Sequence, residues 1–389
     1  MAQGESNRVS IRVSKETVWG ETPATPTMAI LPILSDSLVH NKRTKQSDTL
    51  RSDRMKDAQV QVGVDAGGEI PFEFRFSDFD AILEVALFNT FSSASKTGAG
   101  TTNDLAFAVA GSGVQVITGQ AGDWTNFTVG AWVRVKSAAQ AENNGVFKVT
   151  AKTSTTLTVA NAAGVSEADS TAVVTQKMLR NGTTKQSLLV EKQYEDLTNN
   201  YENYRGMRVA GFSLNIQTEQ IVTGSVRFLG KQGFLATATV SGSLTGPSTN
   251  DSMTSSTNVG SIVEGAAALS TAIKSITVNL NNNLRSLPGV AQISAIGVNA
   301  GSIGLTGRVE AYFEDQVLLT KVRNHTSSSL EFRLTDPLGN VVVFTLGQLK
   351  WSGNPVNPGI DQDVMLSLEF SCERQLTDNY MIQIDALAV

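Results

Sequence analysis

Gly63-Val64-Asp65-Ala66-Gly67-Gly68-Glu69-Ile70-Pro71-Phe72-Glu73-Phe74-Arg75-Phe76-Ser77-Asp78-Phe79-Asp80-Ala81-Ile82-Leu83-Glu84-Val85-Ala86-Leu87-Phe88 decides the fold. Its middle alternates. Ile70, Phe72, Phe74 and Phe76 point one way; Glu69, Pro71, Glu73 and Arg75 point the other. A period of two with aromatics on one face is a half-buried strand. The period then changes. Phe79, Ile82, Leu83, Ala86 and Leu87 fall on one helical stripe. Ser77 fits an N-cap, and Asp78 and Asp80 sit in the first turn, where carboxylates meet the positive end of the helix dipole. The stretch is a strand feeding a short amphipathic helix.

The unit echoes downstream. Ile296-Gly297-Val298-Asn299-Ala300-Gly301-Ser302 repeats the pattern of Val62 to Gly68. A strand-like run from Leu305 to Tyr312 follows, then Phe313 to Leu319. Phe79 lies 13 residues after Ala66, and Phe313 lies 13 residues after Ala300. Gly224-Ser225-Val226-Arg227-Phe228 resembles Leu366-Ser367-Leu368-Glu369-Phe370, in the same order. The chain reads as two tandem copies of one α+β unit, the second diverged.

Composition narrows the function. A chain of 389 residues, 41% hydrophobic, has room for two or three domains. A net charge of −5 argues against a binder that neutralises phosphates with a basic face. One cysteine, Cys372, excludes an internal disulfide and a thiolate cluster, and its alternating neighbours predict a buried thiol. No apolar run approaches membrane-spanning length and no signal-peptide core opens the chain, so folding in a reducing cytoplasm is expected. The two histidines, His40 and His325, sit in polar settings without a nucleophile or second ligand. Gly111-Ser112-Gly113 lacks the spacing of a dinucleotide fingerprint, and Asp361-Gln362-Asp363 is too short for a calcium loop. No catalytic constellation is present, so a non-enzyme without cofactor or metal is expected.

In chain order, residues 1–27 are polar and end in Pro23 and Pro26, which favour extended backbone: an arm on a neighbour or a loose tail. His40 to Lys56 is strongly charged and lacks apolar periodicity; Gln59 to Val64 resumes a strand, so the charged segment is the tip of a long hairpin. Short β-type runs at Val114–Ile117, Trp132–Val135, Val146–Val149, Leu157–Val159 and Ala172–Val174, punctuated by Gly and Asn, make a small all-β module. Its own core (Trp132, Val135, Phe147, Val149, Leu157, Val159) is expected to make it dispensable. Glu195 to Tyr204 reads as a loop or a short helix. The domains are therefore 1–100 with 180–240 as a discontinuous first unit, 101–179 as an insertion, 241–261 as a Ser/Thr/Gly-rich linker, and 262–389 as the second unit. The fold class is mainly β with α+β units: tandem β-sandwich or barrel units, each with one packed short helix.

Several further stretches carry a family resemblance. Glu16-Thr17-Val18-Trp19-Gly20-Glu21-Thr22-Pro23, Arg51-Ser52-Asp53-Arg54, Ala66 to Glu69 with Phe79 to Glu84, Asn181 to Thr184, Tyr204 to Val209 and Gly224 to Lys231 run in order outside the insertion. Together they resemble the tail tube proteins (major tail proteins) of long-tailed, non-contractile, siphovirus-like bacteriophages. The resemblance implies tail-tube-type β units, rings stacked into a tube in the virion tail, and DNA passing through without sequence-specific binding. It also implies tape measure, tail terminator and distal tail proteins as partners, and no membrane. With two units per chain, a trimeric ring of pseudo-sixfold symmetry is expected, a hexameric ring being the alternative. Candidate lumen-facing residues are Glu73, Arg227, Glu310 and Glu369, on a channel expected to be net negative so that DNA slides. Candidate inter-ring or subunit contacts are Trp19, Arg51, Asp53 and Arg54. A host-surface receptor-binding protein or a capsid decoration protein is the competing class.

Overall fold

Ten of the strands recur as two sets of five. The first set is β1 (Val39–Gln46), β2 (Gln59–Glu73), β3 (Leu188–Tyr194), β4 (Tyr201–Gln217) and β5 (Thr223–Gly230), with helix α1 (Asp80–Leu87) after β2. The second is β6 (Ile273–Asn281), β7 (Gly304–Tyr312), β8 (Ser327–Thr335), β9 (Val341–Val356) and β10 (Met365–Cys372), with α2 (Val317–Arg323) after β7. The first set pairs antiparallel in the order β3–β4–β5–β2–β1. The second pairs as β8–β9–β10–β7–β6. In each, one long strand serves two partners with its two halves: β4 of 17 residues and β9 of 16. The computed structural model describes residues 4–102, 104–111, 113–265, 267–269, 271–356 and 359–389; residues 1–3, Ser112 and Pro358 lie outside them.

The repeat is real, but its register differs from the sequence echo. Gly224, Val226 and Phe228 face Phe72, Ile70 and Gly68. Their counterparts Leu366, Leu368 and Phe370 face Ala311, Val309 and Gly307. Gly68 therefore corresponds to Gly307, not to Ser302. The second Gly-Val-Asn run lies in the connection before β7, where Gly297–Asn299 pairs with Arg285–Leu287 in a small separate hairpin.

The alternation of Ile70, Phe72, Phe74 and Phe76 buries all four. Phe79 stacks on them, its ring centroid 4.1 Å from Phe72 and 6.2 Å from Phe74. Helix α1 buries Ile82, Leu83, Val85, Ala86 and Leu87, the face its period predicts. Ser77 does not cap it: with φ 69°, its Oγ donates to Asp80 Oδ2, and Phe79 holds the cap position. Phe74 also meets Phe344 of β9 edge-on at 5.9 Å, so one core runs through both units. Cys372 is buried within it, which pushes its thiol up to about 12.

Two stretches read as loose are pinned. Val9–Lys15 is a strand paired along its length with β3, burying Ile11 and Val13; its short alternation was hidden by polar neighbours. In the Ser/Thr/Gly-rich segment, Met253 is fully buried, with its N–H on Phe74 O (3.0 Å) and its carbonyl accepting from Val222 N (2.8 Å). Glu195 to Asn200 is a turn, and Tyr201 already belongs to β4.

All five β runs of the 101–179 module form, around a separate core with Trp124 and Phe127 at its centre. The module is nonetheless welded to the second unit. Val173–Arg180 pairs with Ser92–Thr97, Trp132–Lys136 and the C-terminal strand Ile382–Leu387, which itself lies on β9. Trp132, expected inside the module, packs instead with Val146 on Val341, Val343 and Leu387. Lys148 Nζ (2.8 Å), Thr345 Oγ1 (3.1 Å) and Trp132 Nε1 (3.4 Å) all donate to Glu331 Oε2 at this seam. Deleting the module would expose that apolar cluster and take two of the three donors from the Glu331 carboxylate.

Asp385 sits in the same seam, fully buried, accepting from Gln383 Nε2 (2.7 Å) and Trp132 N (3.3 Å). Burial, with nearby Glu331, pushes its carboxyl up to about 7. Between the ordinary aspartate range and pH 7 the folded protein holds a proton that the unfolded chain has released, so this site's stability contribution falls as pH rises through 7. Asp385→Asn removes that dependence. Its melting temperature relative to wild type should climb from pH 5 to pH 8 by calorimetry; a constant difference would show that Asp385 does not titrate there.

Candidate assembly interface

The two units join edge to edge. The second half of β4 pairs with β6 from Gly211↔Asn281 to Gln217↔Ser275. One continuous order results: β1–β2–β5–β4–β6–β7–β10–β9. Beneath the seam, Phe212, Leu214 and Ile216 share the core with Ile276, Val278 and Leu280. Above it, Thr277 Oγ1 donates to Asn215 Oδ1 at 3.1 Å.

The opposite face is mostly polar, with Val39, Pro71, Tyr312 and Met365 among its apolar members. The register carries it from Glu69 and Glu73 to Arg227, Ser213 and Asn215, then to Thr277 and Asn279, then to Arg308, Glu310 and Glu369. Glu73, Arg227, Glu310 and Glu369, named from alternation alone, therefore share this one face although they stand on four strands. Glu73 accepts from Ser252 Oγ at 2.7 Å, and Glu310 pairs with Arg308 at 2.9 Å. Asp65, Arg43, Arg308 and Lys350 belong to the same face and were missed, though the alternation that found the others extends to them. Asp65, Glu69, Glu73, Glu310 and Glu369 face Arg43, Arg75, Arg227, Arg308 and Lys350, Arg75 meeting Glu73 through Ser252 Oγ, so carboxylates and cations are equal in number. The face is balanced.

At its ends the order is open. Among the described residues β1 pairs only with β2, and β9 beyond Lys350 pairs only with β10. An unpaired strand edge is a row of free amide and carbonyl groups, a template for another chain.

The contact candidates divide. Arg51 bonds Asp53 (2.6 Å) and Asp57 (2.7 Å) within the exposed tip of the β1–β2 hairpin, and this pairing holds the Asp53 carboxyl below its ordinary range. Arg54 is exposed there with φ 60°. Trp19 instead faces its own chain. Its Nε1 donates to Gly206 O at 3.1 Å, with the Lys231 and Arg208 cations 5.2 and 5.7 Å from its ring. Gly206, at φ +70°, leaves the space the indole occupies. Glu16 fixes the same corner by accepting from Gly206 N, Gly20 N (both 2.7 Å) and Ser187 Oγ (2.6 Å); its burial raises its pKa.

Among the described residues no group of three or more His, Cys, Asp or Glu is placed to hold a metal ion, and no helix is long and apolar enough to cross a membrane. A family model described as phage tail tube protein matches residues 6–185 and again residues 179–372. No curated protein matches the chain.

Trp19→Ala separates an internal anchor from a contact between chains. It should cost roughly 1–3 kcal/mol of folding stability by denaturant unfolding of the dispersed chain. Unchanged stability with impaired association would instead make Trp19 a contact residue.

Proposed function

The chain belongs to the phage tail tube protein family, and from that membership we propose that three copies close into a ring, and that rings stack into the tube of a long-tailed, non-contractile tail through which DNA leaves the particle. As a family member the chain is a structural component of the phage tail. The single observation that supports the ring is the internal β4–β6 seam. It is a head-to-tail contact between two like units, and a contact of that kind closes a ring when repeated. In each unit, the strand that corresponds to β6 is β1, and the half-strand that corresponds to the end of β4 is the end of β9. Those are the two open edges. The same pairing between β9 of one copy and β1 of the next makes every junction alike, with half of them already formed inside the chain.

On this reading the domains are 1–100 with 180–240 and 262–389 as the ring-forming units, with 101–179 fused to the outside of the second. The polar face of the eight-stranded order lines the channel, with Glu73, Arg227, Glu310 and Glu369 on its wall. Ser, Thr and Asn dominate there, and the balance of charge leaves few unpaired cations to hold phosphates. Tape measure, terminator and distal tail proteins are the expected partners, DNA passes without sequence readout, and the site of action is the virion tail after synthesis in the host cytoplasm. No catalysis is part of this reading.

Purified chain at high concentration should form rings or tubes by negative-stain electron microscopy. A persistent monomer that binds host cells would support a receptor-binding protein instead, and binding to empty heads a decoration protein. Combined Glu73→Lys, Glu310→Lys and Glu369→Lys should leave tubes intact but retain DNA in a salt-dependent way; salt-independent, wild-type passage would move these residues off the wall.

A further inference from the structure

The two hairpin connections are matched in length, but among the described residues only the second is bonded along its course to other parts of the chain. Asn41 faces Asp65 in the first unit, and Asn281 faces Gly304 in the second. The connections between them, residues 42–64 and 282–303, agree to within one residue. The second is folded onto the first unit. Ile293 O accepts from Val64 N (2.9 Å), Val298 O from Arg208, and Asn299 Oδ1 from Lys185 Nζ (2.8 Å). Asn282 Nδ2 reaches Ala86 O at the end of α1 (2.8 Å) and Val209 O (2.9 Å), and Ala295 and Val298 are buried. In the first connection the ends stay paired as strand and Val64 is buried, but the tip between Gln46 and Gln59 projects into solvent, with Leu50 99% and Met55 64% exposed; the second connection leaves Val290 exposed at its own turn.

We infer that residues 42–64 are the same docking element without its receptor, and that the receptor is the second unit of a neighbouring copy. This rests on the ring reading above: where β1 meets the neighbour's β9, the connection that follows β1 falls on the neighbour as 282–303 falls on the first unit. Register equivalence locates the place. Val64 corresponds to Ile303, Arg208 to Lys350 and Val209 to Trp351, beside the C-terminal end of α2. Lys42 takes the position of Asn282, a donor at a helix C-terminus, where positive charge is favoured. The arm carries Lys42, Arg43, Lys45, Arg51, Arg54 and Lys56 against Asp48, Asp53 and Asp57. The receiving corner has Glu373, at the position where the first unit has Lys231, paired there with Lys350 at 3.7 Å, and Lys321 and Arg323 in the last turn of α2. The exposed Leu50 and Met55 gain cover there, and the contact is lateral, within one ring.

Hydrogen–deuterium exchange on the wild-type full-length chain, dispersed and assembled, tests this. Assembly should slow exchange in 47–58 on the order of tenfold or more, together with 301–305 and 349–351, while the paired Arg285–Leu287 and Gly297–Asn299 change little. Assembled rings with a fast-exchanging arm would overturn the inference and leave the tube reading standing. A protected arm with unchanged 301–305 and 349–351 would also overturn it, placing the arm against another ring. A chain that never associates would remove both readings together.

Discussion

A β-sheet needs its edges satisfied, and the molecule is organised by how it meets that requirement once and leaves it open twice. Each unit's five strands form an open ladder, and an open ladder exposes amide and carbonyl rows at both ends. Between the units the rows meet: the second half of β4 takes β6 in unbroken register. Among the described residues, at β1 and at the end of β9 they do not. Everything else in the fold keeps those three edges parallel in chemistry. The polar and apolar faces stay in phase across all eight strands, since a slip of one residue would invert every side chain beyond it.

The tandem arrangement is held by more than a tether. Phe74 of the first unit touches Phe344 of the second, and Met253, midway along the connecting segment, is bonded on both sides into the first unit. The seam therefore forms with the fold of the chain, and only the contacts between chains remain to be made. The 101–179 module contributes to that rigidity through Val173–Arg180, whose strand ties Ser92–Thr97 to the C-terminal strand.

Much of this was legible in the sequence where one physical signal dominated. Alternation of Ile70, Phe72, Phe74 and Phe76 fixed a strand, its inner face and, through Glu73, the outer one. The same reasoning on Arg227, Glu310 and Glu369 selected residues that share a surface, though only the pairing register reveals it. The Gly-Val-Asn-Ala-Gly echo misled because local likeness carries no information about ladder position. Val9–Lys15 and Met253 were hidden for a related reason: short apolar alternation inside Ser- and Thr-rich sequence is decided by a partner strand far away. The Glu331–Asp385 seam left no sequence signal, because its members come from three separated segments. Trp19 was legible as important, yet its partners on Gly206, Arg208 and Lys231 belong to its own chain.

The central claim is that the internal seam and the seam between chains are the same contact, so each ring holds half as many chains as units. Native mass spectrometry of single rings released from the tube counts those chains directly. The account predicts three chains per ring. Six chains per ring would contradict it, because the open edges of β1 and β9 would then be closing a wheel whose junctions are not copies of β4 on β6.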